Sequence, residues 1–250
     1  VDDVIRYYQS HPEQGRLERG RDRLEFARIR GLLRRFAPPP PATVLDVGGA
    51  TGAYAAWLTE AGYAVHIVDL VEEQVVEARR MAASMSPGFS ASVGDARRLV
   101  EADASFDLVL LFGPLYHLAA RGDRGQAWAE ASRVVRPGGT VLGIVFSRWA
   151  ALLDAVFRPP AEPAPGFVEI AYFHEPHEAV AEAAAAGLEV GAIVGVDGPG
   201  WLVSDFDRRW DDPAERGNLL RWAGETEDVP ELLGLHAHLM VVARRLAHRG

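Results

Sequence analysis

Past residue 40, short apolar runs rich in Val, Ile and Leu alternate with longer stretches in which apolar and charged residues recur at helical spacing. The runs Thr43–Val47, Ala64–Asp69, Ser90–Val93, Phe106–Phe112 and Thr140–Phe146 read as strands. Between them, Gly52–Ala61, Val71–Met85, Asp95–Ala102 and Asp123–Val135 read as helices. Such alternation implies right-handed crossovers, and so a parallel sheet with helices on both faces. Two later runs, Leu188–Val196 and His238–Arg245, extend the sheet, and an Ala-rich helix at Glu175–Ala186 is ended by Gly187. The expected fold class is α/β, with a seven-stranded, mostly parallel sheet.

Residues 1–36 read as helical in two pieces, broken near His11–Pro12. Pro38–Pro41 makes a stiff, short linker that no helix continues through. From Arg16 to Phe36 the chain interleaves arginines, acids and apolar residues, the pattern of an amphipathic helix with a solvated face. Arg158–Pro165 reads as an irregular loop. A long insertion carrying Trp201, Phe206, Trp210 and Trp222 separates the last two strands. The expected organisation is a helical cap at 1–37 and a core at 38–147. The rest of the core lies at 148–250, with lid insertions around 148–172 and 198–235.

Composition narrows the function classes. The 250 residues contain no cysteine, which excludes disulfides, thiolate metal sites and cysteine nucleophiles. A net charge of −9 opposes broad binding to a phosphate backbone. No apolar run approaches the ~20 residues of a membrane-spanning helix, and the opening VDDVIRYYQS lacks a signal-peptide pattern. The expectation is a cytoplasmic protein, monomeric or homodimeric, with no nucleic-acid or membrane partner. His236 and His238 alternate onto one strand face without an evident third ligand, so no metal is expected.

The chemistry concentrates where the first strand ends. VLDVGGATGAYAAWL places an acid, Asp46, before Gly48, Gly49, Ala50 and Gly52, and then a helix. At the carboxyl edge of a parallel sheet, such a turn brings bare backbone close to a ligand, and the helix start beyond it favours an anionic group. Dinucleotide-binding turns carry G-x-G-x-x-G; here the third small position comes one residue early. The next strand ends in Asp69, about 20 residues on, where an acid holds ribose hydroxyls. Gly94, Asp95 and Ala96 end the third strand, FGPLYHL follows the fourth, and RVVRPGGTVLGIVF enters the fifth.

This ordered set, over roughly residues 40–147, resembles the motifs of class I S-adenosylmethionine-dependent methyltransferases of the bacterial small-molecule type. The resemblance implies a Rossmann-like sheet, S-adenosyl-L-methionine as cofactor and S-adenosyl-L-homocysteine as product. It implies that Asp46 orients the loop and the cofactor ammonium, and that Gly48, Gly49, Ala50 and Gly52 wrap the methionine end. Asp69 would accept from the ribose, and Leu70 would lie against the adenine. Asp95 would meet the adenine amino group, with Gly94 and the Ala96 amide beside it. Phe112 and Gly113 would line the adenosyl pocket. Two local readings stay open: Asp46 also suits a cap, and Asp95 an N-cap. Ala50 departs from the family, which commonly has Gly there. The amino-terminal segment resembles the family's capping helix, in which a Tyr and an Arg approach cofactor or substrate. Tyr8 and Arg19 are the nearest matches.

Methyl transfer from a sulfonium is an in-line displacement. Alignment matters most, and a base helps only where the nucleophile must shed a proton. His117, just past the fourth strand, is the base candidate, and Tyr116 borders the reacting methyl; packing against the loop is the competing role for both. Trp149, Phe173, His174, Trp201 and Phe206 are candidates for holding an apolar or planar acceptor, against the alternative that they fill a small core of their own. The expected function is methyl transfer to a small-molecule acceptor, for instance in natural-product biosynthesis. The alternatives are a non-catalytic binder of the same cofactor, a methyltransferase of a macromolecule, and a nicotinamide oxidoreductase, which the glycine spacing opposes.

Overall fold

The computed structural model describes residues 2–11, 13–157 and 170–247. Its strands are β1 Thr43–Val47, β2 Ala64–Asp69, β3 Ser90–Val93, β4 Phe106–Leu111, β5 Val135–Ser147, β6 Phe173–His174, β7 Leu188–Gly195 and β8 His238–Arg245. They form one sheet in the order β3-β2-β1-β4-β5-β8-β7, with β6 paired to β5 off that path. Strands β1 to β5 pair in parallel, while β8 runs antiparallel between β5 and β7. The sheet has eight strands rather than seven because Phe173–His174 pairs with Phe146–Ser147. Two residues are too few to carry a periodicity signal.

Central strands covered on both faces read as unbroken apolar runs. Leu108, Val109, Leu110 and Leu111 of β4 are all fully buried. Successive residues serve opposite faces: Leu108 and Leu110 pack with Val44 and Ile67, whereas Val109 and Leu111 pack with Leu45 and Trp128.

The helices are α1 Asp2–Ser10, α2 Asp22–Phe36, α3 Ala53–Glu60, α4 Glu72–Ala83, α5 Pro114–His117, α6 Arg121–Val134, α7 Ala150–Phe157, α8 Pro176–Ala185, α9 Phe206–Asp211 and α10 Pro213–Thr226. The amphipathic reading of the Arg-rich segment holds for α2, which buries Leu24, Ile29, Leu32 and Leu33. Its outer face sends Arg28 and Arg35 to one acceptor, Glu227, at the end of α10. A single 3-10 turn, Arg16–Glu18, joins α1 to α2. Gly187 follows α8 with φ +79°, as its place after the helix requires. Pro12 and the loop Arg158–Pro165 lie outside the described residues.

One expected helix, Asp95–Ala102, is absent, and with it the reading of Asp95 as an N-cap. Its amides are claimed by side chains: Asp95 Oδ1 accepts from Arg97 N (2.9 Å) and Glu130 Oε2 from Leu99 N (2.7 Å). Such bonds compete directly with helix formation.

Strand order reverses between β1 and β4, where an open α/β sheet opens a crevice at its carboxyl edge. Because β8 is antiparallel, its first residue, His238, reaches that same edge beside Phe146. Among the described residues, no helix is long and apolar enough to cross a membrane.

Candidate active site

Gly48 leaves β1 with φ +82° and donates its N–H to Val68 O at 2.7 Å. A Cβ there would stand 2.7 Å from both Phe112 O and Pro114 Cδ, so the ends of β1 and β4 approach each other only across a glycine. Gly52 opens α3 at φ +93°, with Phe89 filling the space of a side chain. Ala50, between them, is held at φ +47°. An L residue pays about 1–2 kcal/mol for that conformation. Glycine there would lose more chain entropy on folding, about 0.5–1 kcal/mol. Ala50→Gly is therefore expected to stabilise the fold by about 0.5 kcal/mol, read as a higher urea midpoint at unchanged slope. A lower midpoint would show that the methyl packs rather than strains.

Asp69 closes the loop from the neighbouring strand. Its Oδ2 accepts from Ala50 N and its Oδ1 from Val71 N, each at 2.9 Å. Burial pushes its pKa up, and these amides oppose the shift. Each oxygen keeps a further acceptor site for a ligand hydroxyl. Asp46 is fully buried beneath the loop, 2.7 Å from where a Gly49 Cβ would stand. Neither of its carboxylate oxygens has a hydrogen-bond partner among the described residues. Burial first, and the charge of Asp69 second, raise its pKa to about 7. It caps nothing.

A cavity of about 1270 Å³ runs along the edge of the sheet. Pockets for one ligand hold about 300–1,000 Å³, so this one has room for two. Strand order sets its layout. Gly94, Asp95 and Ala96 lie after β3, Asp69 ends β2 with Leu70 beyond it, the glycine loop lies after β1, and Phe112 and Gly113 after β4. Tyr116, Phe146 and His238 continue the lining toward β8. Arg97 grips the Asp95 carboxylate (Nη2 to Oδ2, 2.6 Å) and holds its pKa down. The Tyr54 hydroxyl and the Gln74 carbonyl oxygen are buried in the cavity lining without partners among the described residues. A buried, unpartnered acid under the loop, an acid with open acceptor sites and a bare cradle fit the ammonium, ribose and carboxylate of S-adenosylmethionine.

His117 and Tyr116 both line the cavity. His117 Nε2 and the Tyr8 hydroxyl share a 2.7 Å hydrogen bond, and the imidazole also bonds the Ile170 backbone. Burial lowers the His117 pKa to about 4 and raises that of Tyr116. Tyr8 lines the cavity as expected, but Arg19 does not. The Arg19 guanidinium turns back onto Gly15 O and Gln14 O. Arg16 takes the cavity position instead, beside Glu13, Asp22 and Glu25.

None of the five aromatic and histidine candidates lines the cavity. Trp201 donates Nε1–H to Leu235 O (2.8 Å) and packs with Phe173 and Ala150. Phe206 stacks on Trp210 over Leu24 and Leu219. His174 is buried 3.3 Å from Glu182, and Trp149 is about half exposed beside Gly234. Trp201, Phe173 and Phe206 fill small cores of their own behind the wall, while Trp149 stays exposed and His174 joins Glu182. Sequence reasoning missed Arg16, Phe146 and His238. His236 and His238 share a strand approach but serve different partners: His236 Nδ1 accepts from Gly198 N (2.7 Å), while His238 bonds Asp197.

The architecture and cradle define a class I, Rossmann-like fold of the type that binds S-adenosylmethionine. Residues 44–139 match the family model of the methyltransferase domain. The chain is 38% identical over 121 residues to the demethylmenaquinone methyltransferase of Deinococcus radiodurans, a match covering 47% of this chain and 49% of that protein. It spans about half the length of the curated relatives it matches. Among solved structures, the geranyl diphosphate C-methyltransferase of Streptomyces coelicolor A3(2), in complex with Mg2+, geranyl diphosphate and S-adenosyl-L-homocysteine, is similar with a TM-score of 0.62 and 16% identity. That match covers 90% of this chain and 82% of the other. The [4+2]-cyclase SpnF is similar to the same degree, with a TM-score of 0.62, 17% identity and the same coverage of 90% and 82%. The fold therefore does not fix the reaction, and the site must. Over residues 44–139 the chain is thus similar to the methyltransferase domain, on the segment that carries the glycine loop, Asp69 and Asp95.

Proposed function

We propose that this protein is an S-adenosylmethionine-dependent methyltransferase acting on a small-molecule acceptor in natural-product biosynthesis. The observation that carries the reading is a single cavity with room for two ligands, running from Asp69 and the glycine loop past Tyr116 to His238. S-adenosylmethionine, when bound, supplies a methyl group on a positively charged sulfur. Asp69 holds the ribose, and the backbone after β3 holds the adenine. Asp46 attracts the ammonium from beneath Gly49. The α1 and α2 helices cover the site and keep water from it. His117 anchors α1 through Tyr8, with Tyr116 at the border between cofactor and acceptor. The test is calorimetry with S-adenosylhomocysteine and with NADH. Heat from the first and none from the second is expected; the reverse result overturns the reading.

The buried Asp46 carries a second expectation. Its protonated form contributes stability that is complete below the unfolded value of about 3.9 and is lost as pH rises through about 7. A ligand ammonium above the loop favours the ionised form. S-adenosylhomocysteine should therefore release a proton on binding at neutral pH, and bind more tightly as pH rises through that window. Calorimetry in two buffers of different ionisation heat measures the release. Asp46→Asn should abolish it.

A further inference from the structure

We propose that His238, oriented by Asp197, is the catalytic base of this site, and that it takes the proton from a hydroxyl group on an aromatic acceptor. The inference rests on the methyltransferase reading and adds to it a residue and a substrate class.

The antiparallel register of β8 places His238 opposite Phe146, at the carboxyl edge of the parallel strands. Its ring lines the cavity. From behind, Asp197 Oδ2 accepts both from His238 N (2.8 Å) and from the ring Nδ1 (3.0 Å). Asp197 is only 2% exposed and does not itself reach the cavity. The proton is thereby assigned to Nδ1, and the lone pair of the neutral ring to Nε2. Nε2 makes no hydrogen bond among the described residues.

An aromatic wall links this nitrogen to the cofactor cradle. His238 lies 4.6 Å from Phe146, and Phe146 lies 4.5 Å from Tyr116, centroid to centroid. The Tyr116 hydroxyl stands 3.9 Å from the Cβ position of Gly113, which itself packs on Gly48. A flat acceptor laid along this wall spans the distance from the cradle to Nε2. By contrast, His117 has its Nε2 committed to Tyr8, and its ring is held against the Ile170 backbone.

The charges facing the ring favour a strong base. Burial alone would lower its pKa. The Asp197 charge, then Glu25, then the Asp197 hydrogen bond outweigh it, with Arg16 opposing, and the pKa rises to about 9. Asp22 also faces it from α2, and His236 shares the loop around Asp197. A phenolic hydroxyl ionises near 10, close to this value, so proton transfer to the neutral ring is nearly thermoneutral, and the neutral, base-competent fraction grows as pH rises toward about 9.

The step balances. Nε2 takes the hydroxyl proton as the bond from the acceptor to the methyl carbon forms. The methyl–sulfur bond breaks, and its electron pair stays on sulfur. The positive charge of the sulfonium ends on the imidazolium, paired with Asp197, and leaves as a proton to solvent.

The test uses the full chain with S-adenosylmethionine and a panel of catechol, hydroquinone and 1-naphthol, with their methyl ethers, aniline and hexanol as controls. Methylation of at least one hydroxylated aromatic is expected. Its rate should rise about tenfold per pH unit from about pH 6 and level off above about 9. The amide of His238→Asn can still donate to Asp197 but offers no base; it should lose about 100-fold or more in kcat while binding S-adenosylhomocysteine normally. Asp197→Asn should move the levelling-off point downward. In NMR, it should move the His238 titration from about 9 toward the ordinary value of about 6.5. Three results overturn the proposal: a panel that is inert or preferred only at aniline or hexanol, a His238→Asn variant within tenfold of the parent, or a wild-type profile flat from pH 6 to 9, as a His117 base would give. If His238→Asn does not fold, the Asp197→Asn profile and the NMR titration decide. Failure of the wild-type chain to bind S-adenosylhomocysteine instead removes the reading on which this one stands.

Discussion

Asp69→Ala is expected to weaken S-adenosylhomocysteine binding about 100-fold, with the loss appearing in calorimetry rather than in a collapsed fold. Two contributions add. A carboxylate accepting from two hydroxyls makes two charge-assisted bonds, each worth about 1.5 kcal/mol or more. Their joint loss, about 3 kcal/mol, corresponds to about 100-fold in affinity. The same carboxylate fastens Ala50 N and Val71 N, so the loop also loses the anchor that holds Ala50 at positive φ. Asp69→Asn separates the two effects. Its amide oxygen can keep one backbone bond but loses the charge and one acceptor, so an intermediate affinity is expected. An affinity unchanged in both variants would remove Asp69 from the site.

Much of the scaffold for this site is legible in the sequence. β1, β2, β3 and β8 fall where the apolar runs predict, β1 because it is buried on both faces, while β3 is a largely exposed edge strand. Asp95–Ala102 was misread because the groups that undo the helix come from elsewhere: Glu130, on α6, takes the Leu99 amide. Arg16 and Arg19 are both plausible on a helical surface. Only the short turn at Arg16–Glu18 decides which guanidinium enters the cavity and which folds back onto its own backbone. The aromatic candidates stand off the cavity lining for a different reason. Apolar area drives Trp201 and Phe206 out of water equally well in a pocket wall or a sealed core, and here it sealed cores. His238 was legible as a strand residue but not as a lining residue, since its place at the carboxyl edge depends on β8 running antiparallel.

Glu182→Ala should be among the most destabilising single changes in the protein, at about 3–5 kcal/mol, because it strands a buried guanidinium. Arg124 of α6 and Glu182 of α8 are both fully enclosed and meet at 2.7 Å. Arg124 also donates to Leu118 O (3.0 Å) and Ala119 O (2.8 Å), under the face of the Tyr172 ring. His174 completes the group at 3.3 Å from Glu182. Burial works to raise the Glu182 pKa, but His174 and Arg124 prevail and hold it below its ordinary value. The stabilisation is therefore present at neutral pH and disappears as pH falls through the folded value, so acid should narrow the gap between parent and variant. A loss of this size lowers the melting temperature by about 10 °C in a chain of this length. Replacing the pair together, Arg124→Met with Glu182→Leu, removes the stranded charge but frees the carbonyls of Leu118 and Ala119, each costing about 1–3 kcal/mol if left dry. The double variant should recover only part of the loss. Those two carbonyls follow directly on His117, so the same variants should loosen the Tyr8–His117 bond and the α1 cover it secures. S-adenosylhomocysteine affinity should fall less than it does in Asp69→Ala, since nothing that touches the cradle has moved. A Glu182→Ala protein as stable as the parent would mean that water reaches Arg124, and that the ion pair is not the staple its burial implies.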